Sequence, residues 1–484
     1  EEAETLAAQG LHRDDIRYES LEQLPFVTID PPESRDLDQA FHAIKLTDGY
    51  EVNYAIDDVG YFVPYGSRVE LEAWQRGLTL YSPDIRTPLY PPIISEEAAS
   101  LLPDQLRPAI VFSFKLNTDG VVEDCQIIRA FIRSRAKLSY FEVDEHLTQE
   151  REKPGSGSLN GYEWTSSLDC LEEIGRRREQ LEIERGGVSL RIPPQQVERW
   201  STALTGYRLA FEQSSRVEEW NAQISLMTGM TAAKIMLTHG IGLLRALDPP
   251  RSDRLRAYRL TALALGVTWP EGMSYSEFIR SLNPTVPIHA VLLHRAAKVT
   301  GGARYVAFEE TLPQNYRHSA IAAPYAHVTA PLRRLADRYV LDLIVALTHN
   351  EPVSSELIDV LYRLPQVMEN ADRLAKQLES RIVDFAEAHF LQDSVGEVFT
   401  GVVIELRPDG GIIQITDPPV RTFITAQNLN GDDPVVAALS EDGTVMRLNN
   451  DQVSLGQTLK IKLKSVDLDA SRVNFCRVNE GIDQ

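Results

Sequence analysis

The chain has 484 residues, more than one hydrophobic core usually organises, so two or more domains are expected. Its 43% hydrophobic and 25% charged content is that of an ordinary soluble globular protein, with no uncharged apolar run long enough to cross a bilayer and no basic-then-apolar leader, which makes the cytoplasm the expected location. A net charge of −21 excludes a broad basic surface for holding nucleic acid, so a polyanion would have to be gripped locally, in a recessed channel that is positive inside an acidic shell.

In chain order, residues 1–20 are acidic and weakly helical, too short for a domain, and a start at Glu1 rather than Met leaves what precedes it open. Phe26, Val27 and Ile29 read as a buried strand ending at Asp30, Pro31-Pro32 forces a bend, and Ala40-Phe41 begins the next apolar element. This short stretch carries Asp30, Asp36 and Asp38, and Asp36 and Asp38 share a face if the segment is extended. Clustered hard oxygen ligands suit magnesium or manganese, and a pair of such ions is the usual device for in-line attack on a phosphodiester. A solvated acidic turn is the competing reading of the same residues.

From residue 24 to residue 132 strands and loops dominate, with Val52, Tyr54 and Ile56 alternating and Pro83, Pro88, Pro91 and Pro92 breaking an irregular stretch. Residues 151–160, around Pro154-Gly-Ser-Gly-Ser158, read as a flexible surface loop, and long helices dominate beyond it. One starts at Ser215, whose hydroxyl caps it while Glu218 reaches back, and runs toward Gly240. Between Glu219 and His239 its only formal charge is Lys234, which predicts burial nearly all round, while Asn221, Gln223, Ser225, Thr228 and Thr231 argue against a membrane span.

A second helix is expected after Tyr325, with Pro331 in its first turn, Leu332, Leu335, Ala336, Tyr339 and Leu343 facing the core, and Arg334 and Arg338 on the polar side, Arg338 pairing with Asp342. Arg333, beside that stripe and near His327 and Thr329, is the better phosphate-binding candidate, because a guanidinium fork and a helix N-terminus both favour anions. A third helix runs from Gln366 toward Leu391, and its Glu379, Arg381, Asp384 and Glu387 read as a solvated charge run. His289 and His294 are five apart, not at the spacing of a zinc helix, and Cys125, Cys170 and Cys476 are distant and odd in number, so neither zinc nor a disulfide is expected.

From about Ser394 the pattern changes to five short strands: 396–404, 411–415, 420–424, 456–463 and 472–476. They suggest a small OB-fold barrel, a module that binds single strands by stacking and backbone contacts. Lys460, Lys462 and Lys464 alternate along one of the strands, and Phe399 and Phe423 are stacking candidates for which core packing is an equal alternative.

These residues together carry a resemblance. Thr28-Ile-Asp30 followed by Arg35-Asp-Leu-Asp38, then Arg76-Gly-Leu-Thr-Leu-Tyr-Ser-Pro83, then Tyr325-Ala-His-Val-Thr-Ala-Pro-Leu-Arg-Arg334 and a final barrel resemble the ribonuclease II/ribonuclease R family, from about residue 20 to the end. The resemblance implies an α+β chain: a short extension over 1–20, an RNB catalytic domain of mixed sheet and long helices over 21–392, and a five-stranded S1-type OB-fold barrel over 393–484. It implies a processive 3′→5′ exoribonuclease that threads single-stranded RNA into a channel and releases nucleoside 5′-monophosphates.

By the same resemblance Asp30, Asp36 and Asp38 match magnesium-binding aspartates, with Mn²⁺ a possible substitute. Tyr81 matches the tyrosine at the scissile end, Arg333 the arginine on the phosphate, and Glu379 a helical glutamate linked to the final nucleotides, which lifts Glu379 out of the solvated run. His327, Thr329 and Arg334, in the motif around Arg333, join Tyr81 and Arg333 as expected RNA contacts. One ion would orient and deprotonate the attacking water and a second would stabilise the leaving 3′ oxygen.

The chain departs from the family pattern at two positions. A fourth Asp commonly follows the third, and here it is Gln39, whose amide oxygen is the remaining ligand it can offer and which should weaken one of two ions. Where many members have Glu early in the first long helix, this chain has Gln223. The two dozen residues before Asp30 leave no room for amino-terminal cold-shock barrels, so RNA capture is expected to rest on the final barrel and the RNB surface, in a monomer. Gln39 and Gln223 keep open an RNA-binding scaffold with a degraded site. A metal-dependent transferase using Asp36-Leu-Asp38 predicts a hydrophobic strand leading into Asp36, whereas Glu33-Ser-Arg35 precedes it.

Overall fold

Alternating and β-branched runs between Glu19 and Leu138 build one sheet from strands β1 (Glu19–Ser20), β2 (Phe26–Ile29), β3 (Gln39–Leu46), β4 (Gly49–Asp57), β5 (Leu106–Asn117) and β6 (Val122–Leu138). The computed structural model describes residues 1–12, 15–188, 195–199, 207–211, 215–284, 286–415, 417–431, 434–449 and 451–478. The strand order is β1-β6-β2-β3-β4-β5, and β6 also pairs with β5. With 17 residues, β6 reaches both neighbours: its first part runs antiparallel to β5 and its last residues parallel to β2. The sheet therefore returns on itself. At one mouth the end of β2 meets the end of β6, through the Asp30 N–H and Leu138 carbonyl, and the end of β4 meets the start of β3, through the Asp57 N–H and Asp38 carbonyl.

Four long helices pack around it: α1 (Thr165–Glu184), α2 (Arg216–His239), α3 (Leu335–Thr348) and α4 (Ser355–Leu391). The Ser167 hydroxyl bonds both the N–H and the carbonyl of Ala43, fastening α1 to β3, and the Tyr54 hydroxyl meets Ser225 at 2.8 Å, fastening α2 to β4. As expected, Ser215 caps α2 by accepting from the Glu218 N–H, Gly240 ends it in the left-handed region, and most of its surface is covered. Gly229 lets the 325–334 segment lie directly on α2: a Cβ there would stand 2.2 Å from the Tyr325 ring and 2.5 Å from the Ala326 carbonyl.

That segment is not helical. The helix begins at Leu335, because the preceding peptide groups are spent elsewhere: Thr79 N–H donates to the Arg333 carbonyl, Leu335 N–H to the Gly77 carbonyl, and Arg334, extended at φ −132°, bridges Leu78. Pro331 thus lies in a turn before the helix rather than in its first turn. Arg338 is buried, not surface-facing, and donates to the Val63 carbonyl, while Asp342 pairs with Arg129 at 2.9 Å. The third helix starts at Ser355, ahead of the expected Gln366, and carries Pro365 in its interior. The 151–160 loop is exposed but organised around Glu150, whose carboxylate accepts from the N–H groups of Gly155 and Gly157.

The carboxyl-terminal barrel forms from β7 (Val398–Arg407), β8 (Gly410–Ile415), β9 (Arg421–Thr425), β10 (Thr458–Asp467) and β11 (Arg472–Arg477), antiparallel in the order β9-β8-β7-β10-β11, close to the expected ranges. A further three-stranded sheet, Ala437–Leu439, Val445–Leu448 and Asp451–Ser454, fills the insertion before β10 and was not expected from the sequence. Val403, Ile413, Ile424, Ile461 and Phe475 form the barrel core, and Ala386 and Leu391 at the end of α4 join it. Phe399 packs edge-on against Phe475, and Phe423 stays exposed with Arg407 over its ring. Among the described residues no helix is long and apolar enough to cross a membrane.

Candidate active site

The end of β2, the Pro31-Pro32 bend and the start of β3 bring the three aspartates to one mouth of the sheet. The bend is tied down by Lys137 of β6, which donates to the carbonyls of Pro32 and Ser34 at 2.6 Å each. Its other limb is fixed by Ser100, whose hydroxyl accepts from the Leu37 N–H and donates to the Arg35 carbonyl.

Asp38 is the deepest of the three. Its Oδ1 accepts the Leu332 N–H at 2.8 Å and its Oδ2 the Arg333 Nε at 3.3 Å. The Arg333 side chain stays 42% exposed against 4% for Asp38, so the guanidinium is anchored by one edge and open to solvent on the other. The non-helical 325–334 turn places both groups, and the helix N-terminus invoked from the sequence is not what aims Arg333.

Asp36 is held by a hairpin of Leu80–Tyr81 and Arg86–Thr87, in which Tyr81 and Arg86 are direct cross-strand partners. Arg86 forms an ion pair with Asp36 Oδ1 and reaches Glu96 at 2.5 Å, while the Tyr81 hydroxyl lies 3.4 Å from Asp36 Oδ2. The Tyr81 ring remains 53% exposed. Burial, then the charge of Asp36, pushes its phenol up, so it stays protonated at neutral pH.

Burial pushes Asp30 up to about 7, opposed by Lys137 and Arg333, and pushes Asp38 up to about 7, opposed by Arg333 and the Leu332 N–H. Asp36 raises both, which places the three acids in one another's field. Hard carboxylate oxygens suit Mg²⁺ or Mn²⁺, and a divalent cation favours the ionised form of two acids that burial pushes up, so this donor set fits one such ion. Among the described residues no three His, Cys, Asp or Glu side chains are gathered as a ready-made cage. Arg86 and Arg333 hold Asp36 and Asp38 instead.

Four expected site residues are placed differently. Gln39 is engaged at both ends of its amide: its N donates to the Thr329 carbonyl and its Oε1 accepts the Tyr54 hydroxyl at 3.3 Å. Thr329 is buried and contributes that carbonyl, not an exposed hydroxyl. His327 shares a 2.7 Å hydrogen bond with the Tyr305 hydroxyl, and burial followed by Arg334 and Arg245 holds it neutral, so it brings no charge to a phosphate. Arg334 forks onto buried Asp337 at 2.7–3.1 Å, and Asp337 also accepts the Ala330 N–H, so this guanidinium is engaged in shaping the turn.

Glu379 is exposed on α4 and lines a shallow groove with Lys376, Glu387 and Arg421 beside the barrel. The helix touches the Tyr81 neighbourhood at Gly77 through Ala371, about 12 Å earlier along its axis at 1.5 Å per residue. No described interaction joins Glu379 to the aspartates. Glu387 of the same run is buried and accepts the Arg421 N–H, not solvated as expected. Gln223 is buried and donates to Glu182 at 2.6 Å.

An RNB domain is matched over residues 18–350 and an S1 RNA binding domain over residues 392–477. The chain belongs to the RNB family. It is 24% identical over 486 residues to ribonuclease R of Escherichia coli, covering 95% of this chain and 57% of that protein, and 24% identical over 434 residues to the exosome complex exonuclease RRP44 homolog A of Arabidopsis thaliana, covering 87% and 43%. The chain thus spans about half the length of these curated relatives. In fold it is similar to Mycoplasma genitalium RNase R solved with ribose-methylated single-stranded RNA, with a TM-score of 0.87 at 19% identity over 98% of this chain and 75% of that one. It is also similar to yeast Ssd1, described as a pseudonuclease, with a TM-score of 0.67 at 17% identity over 91% and 54%.

Three participants escaped the sequence reading: Arg86, Lys137 and the Leu332 N–H. Arg86 had a usable signal, since Ser82-Pro83-Asp84-Ile85 between Tyr81 and Arg86 is turn chemistry and a hairpin makes those two residues neighbours. A backbone N–H delivered from 294 residues away had none.

Proposed function

We propose that this RNB chain is a 3′→5′ exoribonuclease that hydrolyses single-stranded RNA to nucleoside 5′-monophosphates with magnesium, manganese being a possible substitute. Residues 21–392 form the catalytic unit and 393–484 the RNA-binding barrel. The observation that carries the reading is the junction of Asp38 with Arg333, a deep carboxylate and a half-exposed guanidinium locked in one geometry.

Asp30, Asp36 and Asp38 would hold a divalent cation, which would supply Lewis acidity at the reacting phosphate. Arg333 faces the scissile phosphate and neutralises charge that builds on its non-bridging oxygens, while Asp38 and the Leu332 N–H keep the guanidinium and turn in register. The Tyr81 ring stacks on the terminal nucleotide and its hydroxyl, retained by Asp36, fixes the ring's tilt. Water adds to phosphorus, the bond to the 3′ oxygen of the preceding nucleotide breaks, and a proton reaches that oxygen, leaving a new 3′-hydroxyl and a free 5′-monophosphate. On the barrel, the exposed Lys460 and Lys462 and the Phe423 ring offer charge and a stacking face to the incoming strand.

The test is incubation of a 5′-labelled oligoribonucleotide with the chain and Mg²⁺. A descending ladder and free nucleoside 5′-monophosphates are expected, and intact RNA at saturating Mg²⁺ and Mn²⁺ would overturn the reading. The spent amide of Gln39 favours one alternative, a catalytically weakened RNA-binding scaffold, for which intact RNA with retained binding is the signature.

A further inference from the structure

Arg86 stands between a proposed metal-ligating carboxylate, Asp36, and a second carboxylate, Glu96, whose other oxygen lies 3.7 Å from Arg35. One arm of its guanidinium pairs with Asp36 Oδ1, and the other reaches Glu96 Oε1 at 2.5 Å. A guanidinium has five N–H donors in a fixed fork and stays charged at any physiological pH, so it can serve two acids at once and cannot be removed by losing a proton. The arrangement is assembled from both sides. Arg86 is delivered by the hairpin register opposite Tyr81, and Glu96 comes from the short helical segment Ile93–Ala98. Ser100, just beyond that segment, bonds both the Arg35 carbonyl and the Leu37 N–H, the residues flanking Asp36.

The charge balance gives this pair a consequence. Gln39 brings no anion and its amide is hydrogen-bonded to Thr329 and Tyr54, so the trio offers three carboxylates, already faced by Arg86, Arg333 and Lys137. Arg333 is wanted for the phosphate, and Lys137 is engaged with two carbonyls of the bend. Arg86 is therefore the cation that a divalent ion must displace to reach Asp36 Oδ1, and Glu96 is the acid that can keep the guanidinium once displaced.

We propose that Arg86 is a tethered competitor of the divalent cation, a latch shared between Asp36 and Glu96 that sets the ion concentration at which the site loads. This rests on the exoribonuclease reading for the identity of the metal site, and deepens it by assigning a residue that regulates loading. Arg86 is a positioning residue: it acts on Asp36 and touches neither water nor RNA in the reaction.

The experiment is a Mn²⁺ titration of the full chain without RNA, read by electron paramagnetic resonance of free Mn²⁺ and by calorimetry. Arg86→Gln should bind Mn²⁺ about tenfold to hundredfold more tightly than the native chain, the range typical of a changed residue next to the ligands. Arg86→Lys, which keeps a charge but loses the fork, should fall between them. Glu96→Gln removes the acid that receives the displaced guanidinium and should weaken Mn²⁺ binding several-fold. Because the two removals act in opposite directions, general damage to the fold cannot imitate the pattern. If Arg86→Gln and Glu96→Gln both bind Mn²⁺ as the native chain does, while Asp38→Asn abolishes binding, the latch is overturned and the metal site stands. If none of these proteins binds Mn²⁺, both fall. Opposite shifts in affinity without any cleavage of RNA would uphold the latch and overturn the hydrolytic reading.

Discussion

The mouth of the sheet and the outer face of the terminal barrel both offer charge to a polyanion, and they are built in opposite ways. At the mouth, Asp30, Asp36, Asp38, Arg86, Lys137 and Arg333 come from distant parts of the chain, lie wholly or partly buried, and are matched within hydrogen-bonding distance or in one another's field. On β10, Lys460 and Lys462 come from one strand by its period of two and project into solvent with buried Ile461 between them. A buried, matched cluster is expensive to assemble and sensitive to single atoms. An exposed row is cheap, screened by salt and roughly additive. On the proposed function the first region does chemistry and the second captures RNA, and substitutions in the two should separate turnover from affinity.

The largest effect is expected at the mouth. Asp38→Asn is nearly isosteric but removes a ligand charge and the anchor of Arg333, and Lewis-acid stabilisation of several kcal/mol corresponds to a fall in turnover of about 10³-fold or more. RNA binding by the barrel should be retained, and single-turnover kinetics beside filter binding would separate the two. Comparable loss of binding would break the division of labour. The same site gives a pH signature. Asp30 and Asp38 have their ordinary carboxylate values in the unfolded chain and about 7 in the folded one, so the folded state binds more protons between these limits. Metal-free stability contributed by the pair is present in acid and lost as pH rises through about 7, and Mn²⁺ affinity runs the other way, falling as pH drops below about 7. Urea midpoints at pH 5 and pH 8, with and without Mn²⁺, check both signs: the metal should stabilise the protein at pH 8 and have little effect at pH 5.

Asp57 is the exception that sharpens the picture of a matched mouth. It ends β4 beside Asp38, is fully buried, and neither carboxylate oxygen has a hydrogen-bond partner. Burial, then the charges of Asp38 and Asp58, pushes it well above the ordinary carboxylate range. Arg107, whose charge opposes that rise, spends its guanidinium on the carbonyls of Ser100, Leu106 and Glu97. Because the folded value is raised, the group's contribution to stability is lost as pH rises above the unfolded value. Asp57→Ala should therefore stabilise the protein by about 1–3 kcal/mol at pH 8 and by less at pH 4, read as a shift in the urea midpoint at constant slope. A destabilised Asp57→Ala at pH 8 would mean that the acid has a role at the mouth that its lack of partners does not reveal.

How much of each region could be read from the chain follows from the same contrast. The barrel strands were legible because alternation is local: Ile461 and Leu463 inward with Lys460 and Lys462 outward needs no partner to be seen. The aspartates were legible as a group because a Pro-Pro bend packs three of them into one turn, and Arg333 because of the motif around it. What those residues touch was not legible. Arg334 looked as free as Arg333 until Asp337 claimed it, Gln39 looked like a ligand until the Thr329 carbonyl and Tyr54 hydroxyl claimed its amide, and the helical spacing from Leu332 onward failed because Leu78 and Thr79 took the backbone first. The Thr329 carbonyl on Gln39 and the Leu78 and Thr79 backbone reach across the chain, whereas Asp337 lies three residues from Arg334 and claims it because the turn before the helix is not helical.

The smallest effect is expected on the barrel, and it tests the other half of the contrast. Replacing Lys460 and Lys462 together with Ala removes two exposed charges without touching Ile461 or Leu463, so the fold should hold. If each lysine neutralises one phosphate of a single strand, the slope of log affinity against log salt should become shallower by about 1.4, at roughly 0.7 per contact. Affinity should fall several-fold at low salt, with the difference from the native chain shrinking as salt rises, while single-turnover hydrolysis at saturating RNA stays unchanged. An unchanged salt slope would remove β10 from the RNA path and turn attention to Phe423 on β9 and Arg407 on β7, where an exposed ring with a cation over it offers stacking that salt screens far less.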